Sequence, residues 1–244
     1  MISHMTPSAY RFNYDTIASE YASKVDSAPF NTLYERPAML GMLPLIEGSR
    51  ILDAGCGSGW YAEQLLARGA IVDAVDSSPA MVEYARERFK RLPSPGKDNI
   101  SVQVADLDRP FPFESGIFNG IVSPLVLHYI ADWRPALREM HRVLSPGGWL
   151  LFSTHHPSAD AARFSTANYF ATERVTDHWD WVGDVEFYRR SLTEILASVA
   201  DARFAIERLV EPIPTEEFRL TEPESYARIL HRPDFLIVKS TRRD

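Results

Sequence analysis

Between Asp53 and Trp60 the chain reads D-A-G-C-G-S-G-W, and three glycines at alternate positions constrain the fold more than any other stretch. Glycine tolerates positive φ and has no Cβ, so a ligand can rest directly on such a backbone. Ile51 and Leu52 precede the loop as a short apolar strand, and Trp60, Ala62, Leu65 and Leu66 follow it at helical spacing. A strand, a glycine loop and a helix with free N–H groups aimed at the loop make a site for a nucleotide-like group. Spacing then narrows the ligand. A dinucleotide fingerprint beginning at Gly55 needs its third glycine at position 60, where Trp60 stands, and Gly59 comes one residue early. Asp53, ahead of the loop, would also repel a pyrophosphate.

The pattern D-x-G-x-G-x-G resembles motif I of the class I S-adenosylmethionine (SAM) dependent methyltransferases, and the phrase LDAGCGSG is similar to that of the large bacterial group of small-molecule, type 11-like enzymes. SAM carries a sulfonium and an ammonium and no phosphate, so a leading carboxylate suits it. Residues 70–75 then read as a strand ending in Asp76, and Ser78-Pro79 starts a helix. Asp76 stands at a strand's carboxyl end, where an acidic side chain can accept both ribose hydroxyls. Strand 100–104 leads to Ala105-Asp106-Leu107; the resemblance implies that Asp106 bonds the adenine amino group while apolar neighbours sandwich the ring. The segment RVLSPGGWLLFS resembles the family's post-motif turn and fifth strand, although Asn119 stands where the family usually has aspartate. The resemblance assigns the cofactor to Tyr14, Tyr21, Asp53, Gly55, Cys56, Gly57 and Trp60, to Asp76, Ser77 and Met81, and to Ala105, Asp106, Leu107 and Ser123.

Strand and helix alternate from Arg50 to Ser153, which predicts a parallel sheet with right-handed crossovers. The implied fold is α/β: a Rossmann-like class I methyltransferase with a seven-stranded, mostly parallel sheet. Strands 204–210 and 235–240 are its closing antiparallel hairpin. The whole of residues 1–244 is expected to be one methyltransferase domain. Residues 5–48 form an N-terminal helical lid, 49–156 the SAM-binding core, 157–190 a substrate cap inserted after strand five, and 191–244 a C-terminal helix with the closing strands. Within the lid, helices are expected over residues 8–24 and 32–46, and YDTIASEYA places Tyr14 and Tyr21 over the cofactor's amino-acid end. The cap is rich in aromatics, among them Phe164, Trp179, Trp181 and Phe187, without a clear period. That content argues against disorder.

Transfer of a methyl group from SAM needs alignment in a dry pocket, and a base where the acceptor carries a proton. His128, His155 and His156 are the candidates, at the ends of strands four and five, because imidazole titrates near neutrality. Tyr34, Arg36, Tyr188 and Arg189 are expected to face the acceptor, arginines beside aromatics suiting a carboxylate. No metal site is expected, since the histidines lack ligand spacing. The expected acceptor is a small molecule, methylated on oxygen or nitrogen rather than carbon. A macromolecular or carrier-bound acyl acceptor, a non-catalytic SAM-binding protein and a nicotinamide oxidoreductase are the rivals.

Composition bounds the partners. A net charge of −7 gives no generic affinity for nucleic acid or anionic membrane. Cys56 is the single cysteine, so no intrachain disulfide forms, and a cytoplasmic monomer or homodimer is expected. No apolar run is long enough to span a membrane, and Met1 to His4 read as an expression-tag remnant.

Overall fold

In a computed structural model, residues 14–93, 96–180 and 182–244 are described. The start of the helix expected from residue 8, part of the loop before strand 100–104, and Trp181 lie outside them. The main sheet has seven strands: β1 (Arg50–Ala54), β2 (Ile71–Asp76), β3 (Ile100–Val104), β4 (Phe118–Pro124), β5 (Leu144–His155), β8 (Phe204–Val210) and β9 (Phe235–Arg242). Their order is β3-β2-β1-β4-β5-β9-β8, and β9 runs antiparallel to both neighbours. This is the seven-stranded arrangement the sequence predicts.

The central strands are buried on both faces and so read as continuous apolar runs. Leu150 and Phe152 face α5 (Trp133–Val143) and α7 (Leu192–Asp201), with Leu137, Met140, Ile195 and Val199 opposite them. Ile51, Val72 and Val122 face α3 (Trp60–Leu66) and α4 (Pro79–Lys90), meeting Ala62, Leu65, Ala85 and Phe89. Burial of Trp133, Ala136, Leu137, Met140 and Val143 follows the helical repeat that marks α5 in the sequence. Asp132 caps it by accepting from the Arg134 N–H.

Ahead of the sheet lie α1 (Ala18–Lys24), a π-helical turn over Phe30–Glu35, and α2 (Arg36–Gly41). The helix expected over residues 32–46 is therefore shorter. Pro37 sits in the first turn of α2, and Pro44 disfavours helical backbone at Leu43. The segment after β5 is more regular than its sequence suggests. It holds α6 (Pro157–Arg163) and a separate antiparallel hairpin of β6 (Glu173–Trp179) and β7 (Gly183–Arg189). Two short helices, α8 (Glu216–Thr221) and α9 (Pro223–His231), precede β9. Among the described residues no helix is long and apolar enough to cross a membrane.

Candidate active site

Strand order reverses between β1 and β4, and open α/β sheets hold ligands outside the carboxyl ends at that point. Two cavities lie there. The smaller, about 80 Å³, rests on the glycine loop and is lined by Tyr14, Tyr21, Gly55, Gly57, Asp76, Ser77, Met81 and Leu107, with Leu125 and Tyr129 closing it. Two of the glycines serve it for opposite reasons. A Cβ on Gly55 would lie 2.4 Å from the Val126 side chain, whereas one on Gly57 would meet nothing within 4 Å. Gly55 permits close packing behind the loop; Gly57, at φ +52°, leaves the ligand side open.

Asp76 accepts from the Gly57 and Ser78 N–H groups, each at 2.9 Å, and so fixes the loop to the end of β2. Asp53, one strand away, is fully buried, and neither carboxylate oxygen has a hydrogen-bond partner. Burial pushes its pKa up to about 8, opposed by the nearby Ala62 N–H and reinforced by Asp76. Asp53 does not line the cavity itself, but a positive charge held on the adjoining glycine loop would favour its ionised form.

The larger cavity, about 720 Å³, is of ordinary ligand-binding size. Tyr129, Phe164, Trp179, Phe187 and Phe235 supply rings to its wall, while His128, His155, Asp160, Arg228 and Arg232 supply polar groups. Tyr14, Tyr21, Leu125 and Tyr129 line both cavities. The Tyr14 and Tyr129 hydroxyls lie 2.6 Å apart, and the Tyr14 ring stands edge-on to Tyr21 and Tyr129. Asp15 beside them accepts from the Ser78 hydroxyl at 2.5 Å and from the Ala80 N–H at 3.2 Å, pinning the N-terminal segment to the start of α4.

Leu125 has φ +53°, a backbone a branched side chain seldom adopts. Its N–H donates to the Ser153 carbonyl at 3.1 Å and hydroxyl at 3.0 Å. The Ser153 hydroxyl donates in turn to Glu35 at 2.5 Å, whose other oxygen accepts from the Tyr61 hydroxyl at 2.7 Å. Burial raises the Glu35 pKa against these two hydrogen bonds. A strained residue on the wall of both cavities is thus held by a buried network from the N-terminal segment.

His128 and His155 stack face to face, 4.0 Å between centroids and 17° between planes. Burial drives the His128 pKa well down, helped by His155 and Arg190, and its Nδ1 has no partner. Burial also takes His155 down to about 4, with Asp234 raising it and Arg163 lowering it. Both rings are therefore neutral at physiological pH, and the same burial makes each a weak base unless a nearby negative charge offsets the imidazolium.

Other expected site residues are placed elsewhere, each for a visible reason. His156 caps α6, its Nδ1 accepting from the Ser158 N–H, and its Nε2 lies 2.9 Å from Glu211. Arg189 is buried and donates to Glu173, Thr166 and the Asn168 carbonyl. Tyr188 alternates to the face of β7 opposite Val185 and Phe187. Tyr34 packs on Phe218 and Phe235, its hydroxyl accepting from the Asp234 N–H. Arg36 pairs with Asp26 at 3.1 Å and lies 4.0 Å over Trp60, which draws both away from the cavities. The buried Ser123 hydroxyl donates to the Ala54 carbonyl at 2.9 Å, and the Cys56 thiol, also buried, faces the Gly57 carbonyl. Asp106 accepts from the Asp108 N–H in a turn beyond β3, and the Ala105 N–H donates to the Asp76 backbone carbonyl.

Asp160, Leu125 and Tyr129, with Arg228 and Arg232, are wall residues that sequence reasoning missed, whereas Trp179 comes from the aromatic segment it singled out. The missed residues come from segments without an apolar period. Thr215, which caps α8, and Pro223, in the first turn of α9, were the available signals for that pair of helices.

The methyltransferase-domain family matches residues 52–152. A candidate S-adenosylmethionine dependent methyltransferase from Listeria monocytogenes is 25% identical, with 86% of this chain and 97% of that one covered at a TM-score of 0.73. An S-adenosylmethionine dependent methyltransferase from Mesorhizobium loti is 29% identical, covering 89% of this chain and 100% of its own at a TM-score of 0.69. A malonyl-[acyl-carrier protein] O-methyltransferase from Serratia marcescens is 30% identical over 153 residues, 62% of this chain and 56% of its own length. The chain thus spans about half the length of that substrate-named relative.

Proposed function

The chain belongs to the class I SAM-dependent methyltransferases, with SAM as its cofactor, and from that premise we propose that it methylates a small, largely apolar acceptor on oxygen or nitrogen. The observation that carries this reading is the shared wall. A cavity on the glycine loop and a larger aromatic cavity meet at Tyr14, Tyr21, Leu125 and Tyr129, so a donor in one and an acceptor in the other are neighbours.

SAM supplies an electrophilic methyl group on a sulfonium. Asp76, on the wall of the smaller cavity at the end of β2, would accept ribose hydroxyls, and Asp53, buried beside the glycine loop, would add acidic character there. The aromatic wall excludes water and aligns the acceptor, which is most of what the reaction requires. An oxygen or protonated-amine acceptor must also lose a proton, and His155 or its stacked neighbour His128 is a neutral imidazole on the cavity wall able to take it. A carrier-bound acyl acceptor is the second reading, favoured by the Serratia marcescens relative.

The test has two stages. Titration calorimetry should detect S-adenosylhomocysteine binding and no NADH binding. Isotopically labelled SAM should then label a compound in a metabolite extract, with loaded acyl carrier protein as the competing arm. Homocysteine-adduct binding without labelling in either arm would leave a non-catalytic SAM-binding protein.

A further inference from the structure

The cavity wall holds a titratable group outside the roles given so far. Asp160, on the first turns of α6, has a side chain only 11% exposed, and its Oδ1 lies 3.9 Å from the Nδ1 of His155, itself 16% exposed. On its other side His155 stacks on His128, and the edge of Phe187 closes the cluster at 4.4 Å. Two aromatic faces and one carboxylate thus fix how this imidazole can be used.

We infer that Asp160 is a positioning residue for proton removal from the acceptor, holding His155 in the tautomer that carries its hydrogen on Nδ1 and leaves Nε2 bare. This deepens the proposed methyl transfer and rests on it. In the step so assigned, the acceptor's O–H or N–H bond breaks, its proton passes to Nε2, and the electron pair stays on the atom that receives the methyl group. The resulting imidazolium keeps its Nδ1–H directed at the Asp160 carboxylate, which offsets the new charge. His128 must stay neutral throughout, because a second imidazolium 4.0 Å away would repel the first. The 3.9 Å is longer than a hydrogen bond, so before the acceptor binds the carboxylate favours the Nδ1–H tautomer by its charge, and the contact tightens further when the acceptor is bound.

The charged groups around Asp160 agree with a carboxyl poised between its two forms. Arg163 from α6 and Arg189 from β7 favour its ionisation, while Asp177 from β6 and Asp234 before β9 oppose it. Arg163 is already paired with Asp177 at 2.5 Å, and Arg189 with Glu173, so neither is committed to Asp160. Burial is the largest influence and brings the Asp160 pKa up to about 7. The relay therefore switches on as pH rises through that value, with His155 already unprotonated.

The decisive experiment needs neither acceptor nor cofactor. Nitrogen NMR of the ¹⁵N-histidine-labelled protein at pH 8 reports the His155 tautomer directly. The parent and Asp160→Glu should show the Nδ1–H form, and Asp160→Leu, which offers no acceptor, should shift to the Nε2–H form; Asp160→Ala serves equally if the leucine variant does not fold. An unchanged tautomer in a folded variant overturns the inference and leaves the methyltransferase reading untouched. With a labelled acceptor in hand, kcat should fall about 10²-fold or more in Asp160→Leu with unaltered SAM affinity, and recover in part in Asp160→Glu. The parent should show an inflection near pH 7 that Asp160→Leu lacks. Equal turnover in parent and variant would be equally fatal.

Discussion

A buried carboxyl short of donors is tolerated best while it holds its proton, and Asp53 is so placed, because the nearby Ala62 N–H does not offset its burial. Its folded pKa, about 8, lies above the ordinary value, so its stabilising contribution is complete below about pH 4 and is lost as pH rises through 8. The melting temperature of the parent should consequently fall further between pH 5 and pH 9 than that of Asp53→Asn; parallel curves would refute the assignment. Asp76 makes a different prediction. Loss of a carboxylate that accepts hydroxyls should cost about 1.5–3 kcal/mol, or roughly ten- to a hundredfold in SAM affinity. Asp76→Ala should show this by calorimetry, with folding checked by circular dichroism because the loop amides lose a partner too; undiminished affinity would remove the ribose role. The histidines show where residue-level reading stops. Sequence places His128 and His155 at strand ends near the chemistry but gives them an ordinary imidazole range of about 6–7. Burial against Phe187 and against each other moves His155 to about 4, so any activity inflection near neutrality belongs to another group.

Elements were legible in proportion to their apolar pattern. The strands and helices from β1 to β5 announce themselves because one face or both enter a large core. The β6–β7 hairpin does not, since Asp177 and Arg189 occupy inward positions that alternation would reserve for apolar residues. Helices α8 and α9 bury only Phe218 and Ile229, too few to set a period. Arg189 accordingly has a structural part here: it ties β7 to Glu173, Thr166 and the Asn168 carbonyl. Arg189→Ala should raise hydrogen exchange across residues 164–189 and depress acceptor turnover, while SAM affinity changes less than threefold. Exchange confined to parent levels would mean that other contacts hold the insertion.

At the scale of the whole molecule, the cavity on the glycine loop is small. About 80 Å³ is a fraction of an ordinary ligand site, and the N-terminal segment narrows it, through Tyr14 against Tyr129 and Asp15 on Ser78. Asp15→Ala should therefore speed both SAM association and dissociation in stopped-flow measurements, with a smaller net change in affinity. The fold itself was readable from the order of motifs, but this narrowing was not. It depends on a hydroxyl contact between residues 115 positions apart, which no local pattern encodes.

One wall serving two cavities also imposes a queue. An acceptor seated against Tyr14 and Tyr129 holds shut the side by which the cofactor would depart. With donor and acceptor seated as proposed, arrival should run cofactor first and acceptor second, and departure should run methylated product first and spent cofactor last. Inhibition patterns make the queue visible. S-adenosylhomocysteine should compete with SAM, whereas the methylated product should inhibit without competing with SAM, so that neither substrate is exchanged behind the other's back.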